Sequence, residues 1–237
     1  MVNIGGKRAS DQGAAPAAPN GSDRRFHLKE CSILISPTGR SAANLRELHQ
    51  GLLDVDEDVV HHHIFRCHLK PSYERSVFPN DFAIWSARAL GDFALAEKLA
   101  NFDPYLHDSI AEIRQLLADI IDDHLRSRDY VPWAKWGFNF HFERSLLFVT
   151  DSGLKATNAS ELARRLYQVD VSAIYLHFFD ARRRDGSNLD DFSRWLEETT
   201  QDHDLCRRIA SLDFHMLSLE EVRGELIEIM SRGMAAP

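Results

Sequence analysis

The chain has 237 residues, 44% of them hydrophobic, and a formal charge of −8 from 28 Lys and Arg against 36 Asp and Glu. That length buries one large core or two small ones, and the acidic balance argues against a nucleic-acid partner, since duplex binding neutralises phosphates with a basic surface. No apolar run approaches the roughly 20 residues of a membrane helix and no leader pattern opens the chain, so the sequence predicts a cytoplasmic protein with no membrane partner.

Residues 1–25 are rich in Gly, Ala, Pro and Ser, with little apolar surface to offset ordering entropy, and read as a disordered tail. From Phe26 the chain reads as written twice. At an offset of 114 residues, Phe26/Phe140, His27/His141, Gly39/Gly153, Asn44/Asn158, Glu47/Glu161, Leu48/Leu162, Leu52/Leu166, His63/His177 and Phe65/Phe179 are identical. An offset of 110 then pairs Asp81/Asp191, Phe82/Phe192, Trp85/Trp195, Asp92/Asp202 and Asp103/Asp213, and 109 pairs Ser109/Ser218 and Glu112/Glu221. The pattern predicts a tandem duplication, 26–127 and 140–231, joined by a linker at 128–139 and followed by a short tail, 232–237.

Each copy begins with an apolar run, a Gly-containing turn and a short return run ("SILISPTGRSA", "LLFVTDSGLKA"), which reads as a small hairpin. Asn44 and Asn158 then cap a helix, each with Glu three residues on. Next comes a helix carrying Val60, His63, Ile64 and Cys67, or Ile174, His177, Phe178 and Ala181, at i, i+3, i+4 and i+7, with Asp58 and Ser172 as candidate caps. "NDFAIW" and "DDFSRW" start further helices, Gly91 interrupts the first of them, and Ser109 and Ser218 open capping boxes. The fold class predicted is mainly α with minor β (α+β): a hairpin-plus-helices unit in two copies about a pseudo-twofold axis.

"DVVHHHIFRCH" places His61, His62, His63, His68 and Cys67 close together, but only His63 recurs in the second copy. A His63/Cys67 pair supplies two ligands and no spacing supplies the rest, so no metal site and no cofactor is predicted. Cys31, Cys67 and Cys206 are too few and too scattered for a disulfide framework. His63 and His177, each followed by an acidic helix start at Asp81 or Asp191, have two readings. Either they converge near the axis as acid/base groups, or each is a core residue whose ring nitrogens bond a backbone group and a carboxylate. The latter has the greater weight, because duplication preserves folding determinants as readily as active ones. Asn80 and Asp190 adjoin those acids as candidate ligand-binding groups. Trp133 and Trp136 belong to the linker, where they cement the halves or line a pocket between them, the former weighing more. Arg182, Arg183 and Arg184 read as a solvated helix end. The nucleotide, hydrolase and zincin motifs are missing from the sequence.

"NDFAIW", "VPWAK", "SAIYLHFFDARRR" and "DDFSRWL", in this order, resemble the motifs of the uncharacterised bacterial family named domain of unknown function 5752. The resemblance runs from Phe26 to the C-terminus, departs at His61 and His62, and implies a bacterial cytosolic protein without supplying an activity or a catalytic residue. The function expected is a binding or regulatory module that meets an unknown small molecule or protein partner at the surface between its copies. The alternative is an enzyme using His63, His177, Asp81 and Asp191. A homo-oligomer is compatible with either.

Overall fold

The computed structural model describes residues 24–69, 78–184, 187–200, 202–215 and 217–232, without the side chains of Cys67, His68 and Arg232. Of the tails expected at 1–25 and 232–237, residues 1–23 and 233–237 lie outside the described residues, as do the Cys67 and His68 side chains of the histidine-rich run. The described chain is mostly helical with one two-stranded antiparallel sheet, β1 (Phe26–Ala42) and β2 (Phe140–Ala156), which makes it α+β.

The hairpins are not formed, and this corrects the sequence reading. Each Gly-containing segment lies within a single 17-residue strand, and β1 pairs with β2 from Phe26↔Ala156 to Ala42↔Phe140, with Ile33↔Leu147 at the middle. The turn residues are used as bulges. The register shifts between Pro37 and Ser41, and again opposite His27 and Lys29, where Gly39 (φ 79°) and Gly153 (φ 74°) adopt the left-handed backbone that glycine tolerates. Thr38 Oγ1 donates to the Phe142 carbonyl and Ser152 Oγ to the Leu28 carbonyl at these two bulges. A local hairpin would have a return strand of only two or three residues. The extended ribbon gains a long ladder and more buried apolar surface.

The helices follow in two series. In the N-terminal half they are α1 (Leu45–Asp54), α2 (Glu57–Phe65), α3 (Asp81–Trp85), α4 (Phe93–Ala100) and α5 (Ile110–Arg126). In the C-terminal half they are α6 (Ala159–Leu166), α7 (Ser172–Ile174), α8 (Ala181–Arg184), α9 (Asp191–Thr200), α10 (His203–Ala210) and α11 (Leu219–Arg232). Asn44 and Asn158 accept from Glu47 N and Glu161 N, while those glutamates reach back to Ala43 N and Thr157 N, so each cap satisfies donors on both sides. Asp58 and Ser172 are not caps. The α2 cap position is Asp56, and Asp170 Oδ1 accepts from Ser172 N. The expected regular helix face at 174–181 is interrupted, because Tyr175–Asp180 winds as a π-helix that ends at α8.

The ribbon is exchanged between the two cores. Phe26, Leu28 and Cys31 of β1 pack with the C-terminal helices, and Phe140 and Phe142 of β2 pack with the N-terminal ones. Trp195 Nε1 donates to the Arg24 carbonyl and Trp85 Nε1 to the Phe138 carbonyl, both at 2.7 Å, which fixes where each strand enters. Phe142 occupies space that only a glycine leaves: a Cβ on Gly51 would stand 2.4 Å from its ring.

Candidate functional site

The histidine–carboxylate pairs expected from sequence are formed locally. His63 Nδ1 lies 2.8 Å from Asp81 Oδ2, and His177 Nδ1 lies 2.9 Å from Asp191 Oδ2. The opposite ring nitrogens are also engaged: Glu143 N donates to His63 Nε2 at 3.0 Å, and Lys29 N to His177 Nε2 at 2.9 Å. A backbone N–H can only donate, so each Nε2 presents its lone pair and each Nδ1 carries the proton given to the aspartate. Both imidazoles are buried against aromatic rings, His177 on Phe26 and Phe192, His63 on Phe82 and Phe140.

The two pairs do not converge. Lys29 N binds one histidine, and Glu143, which holds the other, faces Pro37, eight residues further along β1 (positions 29 to 37). At about 3.4 Å per residue the anchoring points stand roughly 27 Å apart. Each ring holds the outer edge of the strand that enters its core. Burial alone would raise the Asp191 pKa, but the His177 hydrogen bond and the Arg184 and Arg194 guanidinium groups bring it below the ordinary carboxylate range.

His62, His63 and Asp81 bring three potential ligand atoms within 4.8 Å of one another. The proton positions oppose their joint use. A metal on His63 Nδ1 would require the proton on Nε2, where the Glu143 N–H already points. His62 Nδ1 is also engaged, 2.8 Å from Ser145 Oγ. Burial, together with Arg66 and Arg183, pushes His61 down to about 3, which removes it from acid/base work near neutral pH.

The remaining candidates are dispersed. Asn80 is buried, accepts from Ala83 N and donates to the Leu99 carbonyl. Asp190 has no exposed surface, caps Ser193 N and pairs with Arg182 Nη2 at 3.3 Å, and burial raises its pKa. Arg182 is therefore no solvated helix end: it is buried across the rings of Phe178 and Phe214. Trp133 and Trp136 are 65% and 98% exposed, so they cement nothing. Their backbone is nevertheless held, through Leu45 N to the Pro132 carbonyl, Ala134 N to the Ala43 carbonyl and Lys135 N to the Ala89 carbonyl.

The halves meet instead at a small aromatic cavity of about 50 Å³. Ile64, Phe65, Pro79, Asn80, Ala100, Phe102, Pro104 and Tyr105 line it from the N-terminal half, with Phe179, Phe214 and His215 from the C-terminal half. Tyr105 joins them, its ring 5.4 Å from both Phe65 and Phe214. Arg183 Nη1 donates across the junction to the Pro104 and His107 carbonyls, its guanidinium lies 4.7 Å over the Phe65 ring, and His215 Nε2 stands 3.3 Å from Asp103 Oδ2. Of the candidates named from sequence only Asn80 lines this cavity. The matched pair Phe65/Phe179 was a usable signal for it, whereas Tyr105, Phe214 and His215 come together only through the tertiary fold.

Comparison with known proteins supplies a fold relative but no activity. The structure titled "The structure of OrfY from Thermoproteus tenax" is similar at 25% identity and a TM-score of 0.72, covering 90% of this chain and 96% of that one. No curated protein matches the chain. The model of the family of unknown function DUF5752 matches residues 23–231, and the chain belongs to that family.

Proposed function

We propose that the protein is a non-enzymatic binding module, built from two copies of one unit, whose ligand enters the aromatic cavity between them. The observation that carries this reading is the cavity itself, which draws walls from both halves and is mostly apolar with a few polar groups at its margin, the usual composition of a small-molecule site. The duplication is supported by contacts that recur at the sequence offsets: Lys29 N on His177 and Glu143 N on His63, Trp195 on Arg24 and Trp85 on Phe138. The resemblance to bacterial proteins makes the bacterial cytosol its expected compartment. Ligand-observed NMR on a small-molecule extract tests the function: wild type attenuates particular signals and Ala100→Phe, which fills the cavity, does not. Equal attenuation by both proteins, or none by either, contradicts it.

The second reading is acid/base catalysis by His63, His177, Asp81 and Asp191, favoured by the two short histidine–aspartate contacts. It requires an Nε2 to leave the backbone N–H it accepts from. A turnover that is lost in His63→Gln or His177→Gln while the fold remains intact would establish it over the binding reading.

A further inference from the structure

The linker between the halves exposes a run of aromatic rings. Tyr130, Trp133, Trp136 and Phe138 are 62%, 65%, 98% and 58% exposed. Their backbone is fixed. Trp133 pairs with Asn44 as an isolated bridge, Ala134 N donates to the Ala43 carbonyl at 2.8 Å, and Lys135 N donates to the Ala89 carbonyl at 3.0 Å. Phe138 N then closes a turn onto the Lys135 carbonyl at 3.0 Å, with Gly137 (φ 82°) at its left-handed corner and Trp136 just before it. A partner that covers these rings meets a backbone already ordered, which lowers the entropic cost of docking. Trp and Tyr are also the residues that dominate such contacts.

We infer that this patch is the interface of a homodimer, in which the same linker of a second copy packs on it about a twofold axis. Area supports that occupant. Aromatic side chains present about 150–250 Å² each, so the exposed parts of these four come to roughly 500–600 Å² per copy. Two copies face to face would remove about 1,100 Å² from water, above the ~1,000 Å² at which a specific interface begins. The outer face of the ribbon falls below that size, since it offers only Leu34, Leu146 and Phe148, each little more than half exposed. Charge supports the twofold arrangement. Asp129 and Lys135 are exposed on opposite sides of Trp133 in the chain, and a dyad through Trp133 sets each lysine beside the partner's aspartate. Residues 128–139 carry Arg128, Asp129 and Lys135 as their charged groups, so this stretch escapes the repulsion that a charge of −8 imposes between two chains elsewhere. The cavity between the halves shares none of these residues, so dimerisation does not depend on what the cavity binds.

Sedimentation velocity of the full chain over a range of concentrations tests it. A monomer–dimer equilibrium is expected with a dissociation constant on the order of 10 µM, in keeping with an interface at the small end of the specific range. Trp136→Ser and Trp133→Ser should each weaken dimerisation at least about tenfold while leaving the monomer's circular dichroism unchanged. Leu146→Ser, on the ribbon face, should dimerise as wild type does. Asp129→Lys or Lys135→Asp alone should weaken dimerisation about threefold, and the two together should restore it, which only a patch that meets itself would do. A chain that stays monomeric up to about 300 µM overturns the homodimer and leaves the aromatic patch to a different partner. A dimer insensitive to Trp136→Ser, or lost in Leu146→Ser, overturns the assigned surface, and a charge-swapped double variant that does not recover overturns the twofold arrangement.

Discussion

Replacing His177 by Ala tests whether the imidazole is a strand anchor. The substitution strips the Lys29 N–H of its acceptor, which costs about 1–2 kcal/mol for a half-buried donor. It also removes the His177 contact to Asp191, discounted to about 1 kcal/mol because Arg184 and Arg194 still face that carboxylate. The space vacated beside Phe26 and Phe192 adds about 1–2 kcal/mol. The sum is roughly 3–5 kcal/mol, on the order of 10 °C in Tm for a chain of this size. Denaturant unfolding near pH 7.5, followed by far-ultraviolet circular dichroism, measures it. His177→Gln keeps an acceptor near Nε2 and His177→Asn a donor near Nδ1, so each should lose less than Ala. Because the two anchors stand about 27 Å apart, His63→Ala and His177→Ala should add to within about 0.5 kcal/mol. A loss below about 1 kcal/mol, or strong coupling between the two sites, would refute the reasoning.

Arg182→Met should cost about 3 kcal/mol by leaving Asp190 buried and unpaired, and Arg182→Met with Asp190→Asn should recover most of it in the same unfolding assay. The Asp191 carboxylate has a folded pKa below its unfolded value of about 3.9, so its contribution is full above that pH and is lost as pH falls through the folded pKa. Asp191→Asn should therefore flatten the fall in stability between about pH 5 and pH 2. Burial pushes the Cys31 thiol up to about 12, so peptide mapping after iodoacetamide at pH 8 should find Cys31 unmodified in the native protein and modified after unfolding. Trp136→Ser should change stability by less than about 0.5 kcal/mol, whereas Trp85→Phe loses the hydrogen bond to Phe138 and should cost about 1 kcal/mol or more.

What the sequence disclosed and what it hid follow from the range of the interactions involved. The helix starts at Asn44, Asn158 and Ser109 were legible because capping is local: a side chain meets an N–H three residues on. The histidine–aspartate pairs were legible because the same residue types recur in the same order along the sequence, His63 before Asp81 and His177 before Asp191. The hairpins were misread because Gly39 and Gly153 suit a bulge as well as a turn, and only the partner strand decides between the two. The buried Arg182 was misread because its partners, Asp190 and the rings of Phe178 and Phe214, are brought over it by tertiary packing. The cavity was hidden for the same reason, since its walls come from segments more than a hundred residues apart.

The central claim is that each histidine has both ring nitrogens engaged, Nε2 holding the N–H of an exchanged strand and Nδ1 held by an aspartate at a helix start. Long-range ¹H–¹⁵N spectra of the imidazoles test it most directly. The account predicts rings protonated at Nδ1 with ¹⁵N–¹⁵N couplings from His177 Nε2 to Lys29 N and from His63 Nε2 to Glu143 N. Protons on Nε2, or missing couplings, at either ring would contradict it.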